Sequence, residues 1–205
     1  MATLKFFHQS VVDVKKLIDI LLKKLPVKNI YTCGISLGSI VSLITMANDN
    51  RISKGVFLLS GGNWEEIHRK GISKFIIKGN CISNYYSRRK EYREAYSHFP
   101  EFIREFKKLK NKKIKTDFYE VPDLKKVTAR MCFLCDPLAF AHKINPEKVL
   151  MINAKFDLYF PKTSTIQLWK ELGKPKIHWL NTLHTSNILT NKNVITEIQQ
   201  FLLDI

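Results

Sequence analysis

Residues 29–47 read NIYTCGISLGSIVSLITMA. The run from Asn29 to Cys33 predicts a short strand, and residues 37–47 predict a helix that is apolar on most of its faces. Such a helix is typical of a protein in which helices cover a parallel sheet. Between the two elements lies the stretch Gly34-Ile-Ser36-Leu-Gly38, which fits the pattern G-x-S-x-G. The sequence therefore predicts a strand, a sharp turn and a buried helix.

This turn has the composition of a nucleophile elbow, which lifts a serine hydroxyl to the carboxyl end of a sheet. Because the turn is sharp, we expect a Cβ atom at either Gly34 or Gly38 to collide with its surroundings. The backbone N–H of Leu37 would then stabilise the negative oxygen that forms when a carbonyl is attacked. Ser36 is thus a candidate nucleophile. The alternative is a glycine-bounded turn without chemistry.

The same alternation of strands and helices extends along the chain. Apolar runs predict three more strands, at Gly55–Ser60, Lys148–Ala154 and Lys176–Leu180. Helical periodicity predicts helices over 10–25, 82–97, 100–111, 162–172 and about 193–203, and a further helix after Asp136-Pro137. This order predicts an α/β fold with a parallel sheet flanked by helices and right-handed crossovers.

Residues 63–132 interrupt the alternation with a segment rich in aromatic and basic side chains. Its rings (Tyr85, Tyr92, Tyr96, Phe99, Phe102, Phe106) alternate with cations (Arg88, Arg89, Lys90, Arg93, Arg104, Lys107, Lys108). Rings between cations are typical of surfaces that stack on bases or lie on membranes. Spacing near 3.6 residues instead favours rings that pack on the body of the protein or line an apolar acyl site, which is the interpretation we prefer.

Length and charge limit the class of protein. The chain has 205 residues, of which 45% are hydrophobic, so one sizeable core and a single domain over 1–205 are expected. Its 34 Lys and Arg against 18 Asp and Glu give a net charge of +16. Residues 63–130 carry 18 of the basic and 9 of the acidic residues, so the excess is spread along the chain and predicts a lysine-rich surface. A dedicated polyanion site is the alternative, and nucleic acid is not the expected partner.

No apolar run reaches the roughly 18 residues of a membrane span, so none is predicted. The residues that follow Met1 lack the pattern of a signal peptide, and a cytoplasmic location is expected.

A serine nucleophile needs a base and an orienting carboxylate. Asp157 follows the predicted strand Lys148–Ala154, and His184 follows Lys176–Leu180. Both would lie at the carboxyl edge of the sheet together with Ser36, in the chain order Ser, Asp, His. Asp136 is a second candidate for the carboxylate, although Asp-Pro before a helix is more typical of an N-cap.

These residues give the chain a resemblance to the α/β-hydrolase family from about Ser10 onward. The resemblance rests on Gly34–Gly38, on the turn from Asp157 to Pro161, and on His184. It implies Ser36 as nucleophile, His184 as general base and then acid, and Asp157 as the residue that orients the imidazole. It also implies a helical cap over 63–132 and a small ester or thioester as substrate, with neither a metal nor an organic cofactor.

The remaining cysteines and histidines are expected to be structural. Cys132-Phe-Leu-Cys135 fits C-x-x-C, a pattern of zinc and redox sites, but its apolar surroundings favour two buried thiols. We expect Cys33 in the core and His178 in a structural role in its strand. His8, His68, His98 and His142 are interpreted as surface or packing residues.

The resemblance also predicts that part of the fold is missing. The family's sheet has about eight strands, whereas this chain begins at the helix before the elbow strand, so we expect an N-terminally truncated fold. The loop that usually supplies the second oxyanion N–H would be absent, and the strand at Asn29–Cys33 would have an open edge. A second copy of the chain, or an N-terminal segment of a longer protein, would then cover that edge. A non-catalytic α/β-hydrolase-like binding protein is the alternative function.

Overall fold

The structure, a computed structural model, describes residues 2–72, 90, 93–108, 131–184 and 186–204. Four parallel strands form its sheet in the order β1-β2-β3-β4. Their bounds are Ile30–Ile35 (β1), Ile52–Leu58 (β2), Val149–Ala154 (β3) and Lys176–Leu180 (β4). Because all four run in one direction, their carboxyl ends meet at one edge of the sheet. The predicted α/β fold class is confirmed.

Helices accompany the sheet, and six of them have both bounds within the described residues. They are α1 (Ala2–Lys24), α2 (Leu37–Ala47), α3 (Trp64–Lys70), α4 (Phe99–Lys108), α5 (Lys162–Glu171) and α6 (Lys192–Leu203). The helix α1 begins well before the predicted residue 10. Residues 93–97 of the predicted helix 82–97 are helical, and most of the remainder of that helix lies outside the described residues.

The helices cover both faces of the sheet. On one face, Phe57 and Met151 join a core with residues of α1, α2, α4 and α5. On the other, Leu58 and Ile152 pack with Val194 of α6. All six residues of β3 are buried because the strand lies between β2 and β4 with helices above and below it. This core fixes the strands that carry the loops at the carboxyl edge.

The prediction of a helix after Asp136-Pro137 is wrong. Three short 3-10 turns take its place, at Pro137–Ala139, Ala141–Lys143 and Pro146–Lys148. Pro137 and Pro146 each begin a turn, and Pro146 lacks the N–H that a continuous α-helix through it would need. Another 3-10 turn, Met131–Cys135, precedes them, and a further one, Ser186–Leu189, follows β4.

The prediction that Cys33 lies in the core is also wrong. In the described part of the chain, β1 pairs with β2 alone and forms an edge of the sheet. The side chain of Cys33 is exposed, whereas the central strand β3 is buried throughout. An apolar strand composition therefore does not place a strand at the centre of a sheet.

Four of the six rings noted in residues 63–132 are buried and pack on the body of the protein. They are Tyr96, Phe99, Phe102 and Phe106. Phe99 and Phe102 lie within about 5 Å of the ring of Phe133 (4.6 and 5.1 Å between centroids), and Phe106 contacts Phe140. The predicted packing is confirmed for these rings, whereas Tyr85 and Tyr92 lie outside the described residues.

Within the described ranges, no helix is both long and apolar enough to span a membrane. The cytoplasmic location stays a prediction.

Candidate active site

Ser36 lies at the sharp turn between β1 and α2. Its backbone angles, φ 54° and ψ −123°, belong to a region that residues other than glycine rarely adopt. The backbone N–H of Ser36 donates to the carbonyl of Leu58 at 2.9 Å, which ties the turn to the end of β2. A Cβ atom at Gly34 would lie 2.6 Å from the carbonyl carbon of Gly38, so the turn requires glycine there. This is the strained geometry of a nucleophile elbow.

The prediction that Gly38 is needed for the same reason is wrong. A Cβ atom at Gly38 would meet nothing within 4 Å in the described part of the chain. Gly38 lies in the first turn of α2 and is exposed. The steric requirement therefore falls on Gly34, before the serine.

Asp157 and His184 meet Ser36 at the carboxyl edge of the sheet. The Nε2 atom of His184 lies 2.8 Å from Oγ of Ser36, and its Nδ1 atom lies 2.7 Å from Oδ2 of Asp157. Asp157 follows β3 and His184 follows β4, so the parallel sheet brings together groups up to 148 residues apart in sequence. The arrangement can move a proton from a hydroxyl to an imidazole that a carboxylate orients.

The carboxylate of Asp157 is fixed by its own turn. Its Oδ1 atom accepts hydrogen bonds from the backbone N–H groups of Tyr159 and Phe160, each at 2.8 Å. This leaves Oδ2 for His184. The side chain of Asp157 is only 4% exposed and that of His184 is 14% exposed, so water screens their interaction poorly. We call residues 157–161 the acid turn.

The backbone N–H of Leu37 begins α2, directly after Ser36. The first N–H groups of a helix have no partner within the helix, and the helix dipole makes that end positive. An oxygen that becomes negative beside Ser36 would find both features at this end of α2.

Asp136, the alternative acid, lies in a different environment. It is fully buried, and its carboxylate accepts hydrogen bonds from the backbone N–H groups of Asn63, Trp64 and Leu138 and from the hydroxyl of Tyr96. Its prediction as an N-cap is confirmed by the bond from Leu138, which belongs to the turn Pro137–Ala139. Burial raises the pKa of Asp136 to about 6, although these hydrogen bonds act in the opposite direction.

The links from Asp136 to residues 63, 64 and 96 were not predicted from the sequence. The Asp-Pro pair indicates only the local bond, because partners 40 to 73 residues away leave no local signal. We call Asp136 and these hydrogen bonds the clasp, because they join the two ends of the segment between β2 and β3.

Three of the other histidines and cysteines noted in the sequence contact groups that hold the fold together. Nδ1 of His178 lies 2.6 Å from Oε2 of Glu197, an exposed pair between β4 and α6. His68 is buried against the ring of Trp64, and burial lowers its pKa to about 4. Cys135 is buried, while the side chain of Cys132 lies outside the described residues.

The described residues bring no three His, Cys, Asp or Glu side chains together in a way that could hold a metal ion.

Solved structures share the fold of this chain. An esterase of Pyrococcus furiosus superposes with a TM-score of 0.59 and 13% identity over 95% of this chain and 61% of the esterase. An acylaminoacyl peptidase of Pyrococcus horikoshii gives a TM-score of 0.52 and 11% identity over 93% of this chain and 25% of the peptidase. The chain thus spans about three fifths of the first protein and one quarter of the second.

One curated relative is the uncharacterized protein YdjC of Bacillus subtilis. It is 29% identical over 69 residues, which make up 34% of this chain and 60% of that protein.

The model of the family "Alpha/beta hydrolase domain containing 18" matches residues 9–204, nearly the whole chain. The elbow turn, the parallel sheet and this match agree, and the chain belongs to that family of α/β hydrolases.

Proposed function

We propose that this protein is a serine hydrolase that cleaves a small carboxylic ester or thioester through an acyl-enzyme. The observation that carries the proposal is the continuous pair of short contacts from Ser36 through His184 to Asp157, at 2.8 and 2.7 Å. The family and its fold support hydrolase activity in general. The esterase named above supports an ester as the substrate, by analogy of fold.

Each residue has one role in the proposed reaction. His184 takes the proton of Ser36 on Nε2 while Oγ attacks the carbonyl carbon, and the backbone N–H of Leu37 stabilises the oxyanion. Asp157 holds the proton on Nδ1 of His184 and stabilises the imidazolium. The proton on Nε2 then passes to the leaving group. Water, activated by the same imidazole, hydrolyses the acyl-enzyme.

We propose that residues 63–132 form a helical cap on a single domain that comprises 1–205. The packing of α4 against the rings of Phe133 and Phe140 supports this arrangement, because it attaches part of the segment to the body. The clasp at Asp136 supports it as well, because it brings the beginning and the end of the segment together. The side chain of Arg104 is exposed and pairs with glutamates of α4 itself, which supports a solvated basic surface.

We further propose that another polypeptide segment covers the open edge of β1, from a second copy or from a longer form of the protein. The exposed side chain of Cys33 and the open space beside Gly38 support this proposal. Such a segment could also supply the second oxyanion N–H. Light scattering before and after alkylation of Cys33 tests the second copy: we expect a dimer that alkylation dissociates, and a monomer under both conditions excludes it.

Fluorophosphonate labelling of the purified chain, followed by peptide mapping, tests the proposed reaction. We expect a tag on Ser36 that is absent from the variant Ser36→Ala and present in the control Ser42→Ala, which removes a nearby hydroxyl from α2. Equal labelling of Ser36→Ala contradicts the assignment. A folded chain that takes no label favours the binding protein instead, since only one oxyanion donor has been assigned in the described residues.

A further inference from the structure

We propose that the rings of Tyr159 and Phe160 act as positioning groups that stabilise the protonated form of His184. The proposal rests on the proposed function, because it concerns the imidazolium that forms when Ser36 loses its proton. It assigns the acid turn a second role besides holding the carboxylate of Asp157.

Both rings lie close to the imidazole of His184. The centroid of the Tyr159 ring is 4.7 Å from that of His184, with an angle of 44° between the planes. The Phe160 ring is stacked at 5.7 Å with an angle of 29°. A cation within about 6 Å of an aromatic face is attracted by the negative charge density of that face. Both rings therefore lie within range of a positive charge on His184.

The same two residues of the acid turn hold the carboxylate of Asp157 and place the rings beside His184. The backbone N–H groups of Tyr159 and Phe160 donate to Oδ1 of Asp157, while their side chains contact His184. A displacement of the turn would thus move three groups together, namely one anion and two ring faces. The imidazolium would lose its attraction to these three groups at once.

Contacts with the segment after β2 hold the turn in place. Ile72 donates its backbone N–H to the carbonyl of Leu158 at 2.8 Å. The ring of Phe160 is 5% exposed and fills the space beside Gly61, where a Cβ atom would lie 2.9 Å from Cδ1 of Phe160. Gly61 therefore leaves room for this ring beside His184.

The rings stabilise the transition state more than the ground state. A neutral imidazole is attracted only weakly to an aromatic ring. As Oγ of Ser36 forms a bond to the carbonyl carbon, its proton moves to Nε2, and the imidazole gains a full positive charge. An interaction that grows during the reaction accelerates it, whereas one that is constant does not.

The test replaces each ring with leucine, which keeps an apolar side chain next to His184 but removes the aromatic face. We expect kcat/KM for a chromogenic ester to fall about two- to five-fold in Tyr159→Leu and in Phe160→Leu. We expect the acid limb of the pH profile to move to lower pH in both variants, because the imidazolium is less stable. Tyr159→Phe keeps the face and serves as the matched control, with a profile like that of the parent.

An acid limb that does not move in Tyr159→Leu overturns the proposal, whether or not the rate falls. Tyr159 is only partly buried, so its variant decides the question even where Phe160→Leu fails to fold. The fraction of His184 present as imidazolium at a fixed pH, read by NMR, gives the same decision without catalysis. A lower fraction in Tyr159→Leu supports the proposal, and an equal fraction contradicts it.

Failure of the ring proposal is distinguishable from failure of the proposed function. If Ser36→Ala still takes the fluorophosphonate label, the assignment of the nucleophile is wrong. If that variant loses the label while the leucine variants match the parent in pH profile and imidazolium fraction, the ring proposal alone is wrong.

Discussion

The acid turn and the clasp each hold a buried aspartate by means of backbone N–H groups, two for Asp157 and three for Asp136. The two carboxylates differ in the side chain that each one contacts. Asp157 pairs with the imidazole of His184, whereas Asp136 accepts the hydroxyl of Tyr96 at 3.2 Å. One carboxylate therefore faces an imidazole, whose other ring nitrogen contacts Ser36, and the other faces a phenol.

The difference shows that backbone hydrogen bonds alone do not give an aspartate a role in catalysis. Both carboxylates are fixed in position, but only Asp157 has an oxygen directed at an imidazole that in turn contacts Ser36, the proposed nucleophile. Asp136 lies among groups that join segments of the chain, and burial raises its pKa to about 6. We therefore expect changes at Asp157 to affect the reaction and changes at Asp136 to affect stability.

The largest expected effect is on activity in Asp157→Asn. The new amide can donate to Nδ1 of His184 and favour the wrong tautomer, so we expect kcat/KM to fall about 10⁴-fold. Asp136→Asn is the matched control, and we expect its rate per folded molecule to stay within a few-fold of the parent. Initial rates with a chromogenic ester, divided by the folded fraction from circular dichroism, measure both. An equal loss in the two variants would contradict the assignment of Asp157.

The next effect is on the free energy of unfolding in Asp136→Ala. This change leaves three buried N–H groups without their acceptor, and we expect a loss of about 3–5 kcal/mol. For Asp157→Ala we expect about 1–3 kcal/mol, because that carboxylate accepts two backbone N–H groups in a turn at the sheet edge. Urea denaturation of the two variants side by side measures the difference. A larger loss in Asp157→Ala would reverse the comparison.

The third effect is on the pH dependence of stability. A carboxyl whose pKa is higher in the folded chain than in the unfolded chain binds its proton more tightly when folded, so it stabilises the fold at low pH. For Asp136 this contribution is complete below its ordinary pKa of 3.8 and is lost as the pH rises through about 6. The loss amounts to about 3 kcal/mol at most. The difference in urea midpoint between the parent and Asp136→Asn should change across pH 4–7, and a constant difference would refute the raised pKa.

The smallest expected effects are those of alanine at two adjacent glycines, Gly61 beside the acid turn and Gly62 beside the clasp. A Cβ atom at Gly61 would press on Phe160 in the acid turn, whereas one at Gly62 would lie 2.6 Å from Cγ of Leu138 beside the clasp. We expect Gly61→Ala to lower kcat/KM about ten-fold, and Gly62→Ala to lower the free energy of unfolding by about 1–3 kcal/mol. Rates and urea curves of both variants test this division, which fails if the two variants show the same pattern.

Much of the candidate site could be predicted because its signals are local. The elbow requires glycine before Ser36, and a parallel sheet places the residues that follow its strands at one edge. These two constraints were enough to bring Asp157 and His184 to Ser36 without any knowledge of side-chain contacts. The rings beside His184 were not predicted, because contact between neighbouring loops has no periodic signal.

Most of the wrong predictions concern features that depend on parts of the protein distant in sequence. The exposure of Cys33 depends on which strand lies beside β1. The open space around a Cβ atom at Gly38 depends on what packs near the start of α2. The 3-10 turns after Asp136 were missed for a local reason, because the prolines at 137 and 146 divide the stretch. Composition indicates the type of each element and does not determine what packs beside it.

The clasp has a consequence for how the protein can change over evolution. It joins residues 63 and 136, which are 73 positions apart, and so holds together the two ends of the segment between them. Closing a flexible loop costs only about 0.6 kcal/mol more each time its length doubles. We therefore expect insertions and deletions in this segment, outside α3 and α4, to disturb neither the pairing of β2 with β3 nor the positions of Ser36, Asp157 and His184. Under the proposed function, substrate preference can diverge in this segment while Ser36, Asp157 and His184 keep their places.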